Sequence, residues 1–391
     1  MSQSGEVSIS CLCGAVKQTV VLRSTESGSG PLGVDLCHCY DCRHTSGLLC
    51  VSYAPIQEPL SLGSLVTYPD KSTQPSITAS RRYFCGTCGC HVFRRSADSD
   101  DPTRGSWEVA TGIIIEPIGT DKVDDEKDEP LLRYSRHVNI DSTKDGGLSP
   151  FIKLAEETFP STNSQIDHGE DKDSNATLEA HCHCKTVRFF ITRPDASSRL
   201  PRSGFPDLTV PFATSPQDVI TNPHDEKWWL RPQSQDNPNL TRYLAGTCAC
   251  RSCRLASGFE IQTWAFVPRN AVPLDFPTLQ QTYSPLRGYE SSPGVFREFC
   301  ARCGASVFWH DVFRPDLVDV SVGLLAAEKE DGARAERWLD WWCGRVSFQE
   351  EAANGRGHIY HLHPYRLMCV SLRCRVFKID STPGELQSSR A

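Results

Sequence analysis

No stretch of the sequence approaches the roughly 18 consecutive apolar residues that a membrane-spanning helix needs. The best local run, Ile113-Ile114-Ile115, ends at Glu116-Pro117. The segment Met1-Ser2-Gln3-Ser4-Gly5-Glu6 holds neither the basic nor the apolar stretch of a secretory signal. A cytoplasmic or nuclear location is therefore expected, with no membrane partner and with thiols kept reduced. Positive charge is not in excess: 41 Lys and Arg against 48 Asp and Glu give a net charge of −7. A basic nucleic-acid footprint over the whole chain is excluded, and no dense Lys/Arg run with interleaved aromatics supplies a local one. Methionine is nearly absent, at two residues in 391.

Cysteine, by contrast, is abundant. There are 19, an odd number, so a fully paired disulfide set within one chain is impossible. The first half reads Cys11-x-Cys13, Cys37-His38-Cys39-x-x-Cys42-Arg43 and Cys85-x-x-Cys88-Gly89. The second reads Cys182-x-Cys184, Cys248-Ala249-Cys250-x-x-Cys253-Arg254 and Cys300-x-x-Cys303-Gly304. Neighbours repeat as well: Arg82-Tyr83-Phe84-Cys85 matches Arg297-Glu298-Phe299-Cys300, and His91-Val92-Phe93 matches Ser306-Val307-Phe308. Seven cysteines in register twice are a tandem duplication, so two domains are expected, over 1–155 and 177–391.

The residues between them, 156–176, are polar and carry −5, and a loop at 121–129 carries −4. The remaining charge is +2, so acidity is confined to a linker and a loop and reads as solvated chain. The copies differ in one spacing. Cys13 to Cys37 is 24 residues, whereas Cys184 to Cys248 is 64. The extra residues, about 193–240, contain Trp228-Trp229 and read either as a surface loop with a small apolar plug or as a lid beside a site.

The coarse pattern is mainly β. Strands are expected over 15–22, 107–115, 187–191 and 259–267. Alternation of Val318, Val320 and Val322 with Asp319 and Ser321 predicts a half-buried strand. A short helix is expected near 334–342, and Ser347 with Glu350 forms a capping-box pattern for another.

The cysteines carry the chemistry. Cys-x-x-Cys-Gly is a zinc knuckle supplying two thiolates, and tetrahedral zinc needs two more. Cys-x-Cys can provide them, giving closed sets of Cys11, Cys13, Cys85 and Cys88 in one copy and Cys182, Cys184, Cys300 and Cys303 in the other. Such sets contribute folding free energy. Three cysteines remain per copy: Cys37, Cys39 and Cys42, and Cys248, Cys250 and Cys253. Three ligands leave a fourth position for a substrate thiol, unless a protein group such as His38 fills it. Cys50, Cys90, Cys343, Cys369 and Cys374 have no counterparts and read as incidental thiols.

These motifs resemble the glutathione-dependent formaldehyde-activating enzyme family, which includes centromere protein V. The resemblance implies two tandem zinc-binding β-tent domains, two zinc ions per domain and carbon–sulfur lyase chemistry. The implied substrate is glutathione or another small thiol adduct of the S-hydroxymethylglutathione type. The alternative is a zinc-stabilised scaffold without catalysis. Arg43 and Arg254 are candidates to bind a substrate carboxylate. His137 looks like a family histidine, with Trp338–Cys343 in its place in the second copy. Lys185 replaces Gly14.

Overall fold

The computed structural model describes residues 5–23, 31–70, 80–96, 105–117, 131–152, 154, 176–232, 241–272, 285–327 and 331–353. The acidic loop 121–129, nearly all of the linker 156–176, and Cys369 and Cys374 lie outside these residues. Among the described residues, no helix is long and apolar enough to cross a membrane.

Both copies are mainly β and repeat one strand order. In the first, an antiparallel sheet runs Tyr53–Ile56, Ser106–Ala110, His91–Ser96, Ser80–Cys85, Leu65–Asp70. In the second, Gln262–Pro268, Leu317–Ser321, Ser306–Asp311, Val295–Cys300 and Leu286–Ser292 follow the same order. A hairpin carries each Cys-x-Cys: Glu6–Ser10 with Lys17–Val21, and Thr177–His181 with Arg188–Thr192. The strand leading to each three-cysteine set, Leu32–Cys37 or Thr241–Cys248, pairs in parallel with a late strand, Leu132–Val138 or Leu339–Trp341.

Several local expectations are corrected. The segment 107–115 is not one strand: Ser106–Ala110 ends in a 3-10 turn, Thr111–Ile113, before Ile114–Pro117 joins another sheet. In Leu317–Ser321 both faces are buried, and the two polar residues have partners there: Arg314 pairs with Asp319 at 3.0 Å, and Gln262 donates to the Ser321 hydroxyl at 3.0 Å. The stretch 334–342 is not helical. Asp331 accepts from the Arg337 amide at 2.6 Å, Ala335 turns left-handed, and Leu339–Trp341 satisfies its backbone on the strand Thr241–Cys248. The capping box does not form either. A short helix, Gln349–Ala353, does exist, but the Ser347 hydroxyl goes to Asp207 and Glu350 pairs with Arg345.

The two copies pack face to face with near two-fold reciprocity. The helix Tyr40–Ser46 lies on the turn Val322–Leu324 of the second copy, and the helix Arg251–Ser257 lies on Thr111–Ile113 of the first. The Gly112 amide donates to the Gly258 carbonyl and the Gly323 amide to that of Gly47, both at 2.9 Å. Leu12 donates to Leu255 at 3.0 Å, and His183 donates to His44 at 2.8 Å. The knuckle glycines Gly89 and Gly304 have positive φ, and a Cβ at either would strike Phe299 or Phe84 of the other copy. This is the pattern of an isologous dimer interface written into one chain.

Candidate metal centres

Each closed set comes together across the fold as the spacing predicts. The sulfurs of Cys11, Cys13, Cys85 and Cys88 lie within 4.8 Å of one another, as do those of Cys182, Cys184, Cys300 and Cys303. Close approaches include Cys13–Cys85 at 3.5 Å and Cys184–Cys300 at 3.5 Å. The hairpin brings the Cys-x-Cys pair, and the turn after Ser80–Cys85 or Val295–Cys300 brings the knuckle. Amides donate to the sulfurs, from Val16 to Cys11 and from Val187 to Cys182, both at 3.4 Å. Lys185 takes the same left-handed backbone as Gly14, so the turn survives that replacement. A Cys85 thiol that accepts from Cys11 is held well below its ordinary pKa. Four soft donors at this spacing fit a tetrahedral thiophilic metal.

The three-cysteine sets are also assembled, within the same 4.8 Å limit. Cys39 and Cys250 cap the helices Tyr40–Ser46 and Arg251–Ser257, accepting from the amides of Cys42 at 3.4 Å and Cys253 at 3.2 Å. Hydrogen bonds from Cys37 and Cys39 hold Cys42 far below its ordinary pKa, with Arg82 and Arg94 adding to the effect. Cys248 and Cys250, with Arg297, do the same to Cys253.

Arg82 and Arg297 are residues the sequence aligned but whose role it left unassigned. Arg82 Nη2 donates to Cys42 Sγ at 3.3 Å, and Arg297 Nη1 to Cys253 Sγ at 3.5 Å. Both side chains are buried. A divalent ion with three thiolates carries −1, and the adjacent guanidinium offsets it. Asn139, with φ 58, donates to Cys37 Sγ at 3.3 Å. No sequence motif marks it.

The histidines and arginines singled out earlier do other work. His137 Nε2 donates to the Ile152 carbonyl at 2.7 Å, so its Nδ1 accepts from His38 Nε2 at 2.8 Å. His38 is not among the clustered ligands, and burial, with His137 and Arg43, pushes its pKa down to about 3. It is a neutral core group rather than a fourth ligand. Strand register places Val346, not Trp338–Cys343, opposite His137: Val138 pairs with Cys37 as Ser347 bridges Cys248. Arg43 is buried and donates to the carbonyls of His38 and Ser142, while Arg254 donates to that of Gly112 in the other copy. Both arginines tie backbone together, and neither is among the residues that line the cavity beside Cys37, Cys39 and Cys42.

Beside Cys37, Cys39 and Cys42 lies a cavity of about 470 Å³. Its wall carries Arg82, Arg94, Arg136, Asp35, Asp41 and Glu108. Arg94 grips Glu108 at 2.5 and 2.8 Å, and Arg136 grips Asp35 at 2.9 and 3.0 Å. Both signs of charge therefore meet at a cysteine cluster, one of whose members, Cys37, is partly open to solvent.

With this geometry in place, a family model settles the relationship. The model for the glutathione-dependent formaldehyde-activating enzyme matches residues 6–124 and 236–344, more than half of the chain. The chain belongs to this family. It holds two tandem copies of the domain. The second match begins after Cys182 and Cys184 because the insertion separates them, yet the fold returns both to Cys300 and Cys303. No curated protein matches the chain in sequence.

Proposed function

We propose that the protein is a zinc-dependent carbon–sulfur lyase acting on an adduct of glutathione or a similar small thiol, with each copy a zinc-closed β-tent. The observation that carries this is the opening of Cys37, Cys39 and Cys42 onto the charged cavity. A zinc ion held by those three sulfurs would keep one coordination position for a substrate sulfur and stabilise it as thiolate. The chain supplies the rest. Arg82 offsets the charge of the three thiolates, so a further anionic sulfur is not repelled. The paired carboxylates and guanidinia suit a zwitterion such as glutathione, whose own charges can exchange with those in the wall. In the lyase direction the C–S bond of a hydroxymethyl adduct breaks, its electron pair stays on sulfur, the hydroxyl proton leaves and formaldehyde departs. The wall carries three carboxylates, Asp35, Asp41 and Glu108, and in this reading one of them would accept that proton. This reading also places the protein in a reducing compartment, since the site requires free thiols.

Two measurements test it. Elemental analysis of protein purified under reducing conditions should find four zinc ions per chain, and two or fewer would remove the three-cysteine sets from the argument. Glutathione should change the sulfur-to-metal absorption of the cobalt-substituted protein, while S-methylglutathione, which cannot give a thiolate, should bind at least about ten-fold more weakly. Equal binding of the two, or a silent spectrum, would favour a scaffold without catalysis.

A further inference from the structure

The two copies present the same cysteines in different surroundings, and the difference lies in what occupies the space beside them. Eleven residues after the third cysteine of each set stand Tyr53 and Trp264, and two further on Pro55 and Phe266. On the next strands Trp309 takes the place of Arg94, and Asp319 that of Glu108. The first copy's residues, Tyr53, Pro55, Arg94 and Glu108, line its open cavity. In the second copy the corresponding space is occupied. Trp228, from the insertion, meets Phe266 edge-on with ring centroids 5.1 Å apart. Arg314 lies over Trp309 at 4.8 Å and is tied to Asp319 at 3.0 Å. Gly246, the counterpart of Asp35, is covered so closely by Leu208 that a Cβ there would collide with it. Trp228, Trp264, Phe266 and Leu208 are all buried.

The last wall is replaced too. Asn139, which donates to Cys37, has φ 58, and its counterpart Phe348 has φ 54. A bulky residue held left-handed is strained and needs fastening. The insertion supplies the fastening. Asp207 accepts from the Phe348 amide at 2.6 Å and pairs with Arg345 at 2.9 Å, while Phe212 meets the Phe348 ring edge-on. Cys248, Cys250 and Cys253 are all buried as a result, whereas Cys37 is partly exposed.

We propose that the chain has a single thiol-binding site, in the first copy, and that the insertion has filled the second copy's cavity and made its three-cysteine set structural. The second copy then serves the first as a wall: its Phe259 packs with Cys39, Cys42 and Tyr53 behind the open set. The proposal rests on the thiol reading given above, and its test separates the two. Calorimetric titration of the full-length, zinc-loaded protein with glutathione is expected to give one equivalent bound per chain. Pro55→Phe, which puts the second copy's residue into the first cavity, should weaken binding at least ten-fold while zinc content and melting temperature hold. If that variant does not fold, Ser80→Tyr, filling the same cavity from a strand nearer the other edge of the sheet, serves instead. Two equivalents per chain would overturn the proposal and leave the thiol reading standing. One equivalent untouched by a folded cavity-filling variant would overturn it as well. No binding at all would overturn both.

Discussion

Cys85→Ser and Cys300→Ser are each expected to lose a metal ion and more than about 5 kcal/mol of stability, enough to unfold the affected copy. Structural zinc sites contribute apparent folding free energies on the order of 10–16 kcal/mol in small domains, and a serine in place of a thiolate forfeits most of that. The geometry explains why little else would compensate. The set joins the hairpin Glu6–Ser10/Lys17–Val21 to the turn after Ser80–Cys85, far apart in sequence, and Cys85 and Cys300 are fully buried. The packing of Gly89 on Phe299 and of Gly304 on Phe84 would carry the damage across the interface. Urea denaturation with metal analysis checks this. Cys39→Ser should cost less stability, because its three ligands are local in sequence, from the end of the strand Leu32–Cys37 to the first turn of the helix Tyr40–Ser46, and so join no distant parts of the chain. Equal losses for Cys39→Ser and Cys85→Ser would end the distinction between closed and open sets.

Arg82→Met is expected to weaken glutathione binding by about 10–100-fold, the range typical of removing a group that supports metal ligands. Its guanidinium is buried and 3.3 Å from Cys42 Sγ, so its loss leaves a net negative centre facing an incoming thiolate. Arg82→Lys keeps the charge and should recover part of the affinity. Arg297→Met makes the same change beside Cys253, at 3.5 Å, and should lower stability while leaving glutathione affinity unaltered. Titration calorimetry on all three variants, with metal content as the control, decides the matter. Unchanged affinity in Arg82→Met would remove that residue from the mechanism.

The sequence alone determined a good deal about this protein. The duplication, the mainly β class and the division of fourteen cysteines into two sets of four and two of three were legible because ligand chemistry demands cysteine at fixed local spacing. Arg82 and Arg297 were visible as aligned residues, but nothing in a linear spacing says that an arginine three positions before one cysteine will reach the sulfur of another. Local periodicity misread 334–342 and 107–115, where apolar residues with helix or strand character obey a turn and a sheet switch set by distant partners. His38 and His137 lie 99 positions apart, and only the parallel pairing of Leu32–Cys37 with Leu132–Val138 makes them one hydrogen-bonded pair. The inequality of the copies was likewise decided in three dimensions. Two cysteine sets with the same spacing can hold the same ion, but whether a substrate reaches it depends on the volume left beside it, and that volume is controlled by Leu208, Trp228 and Phe348, residues remote from the ligands in sequence and adjacent to them only in the folded chain.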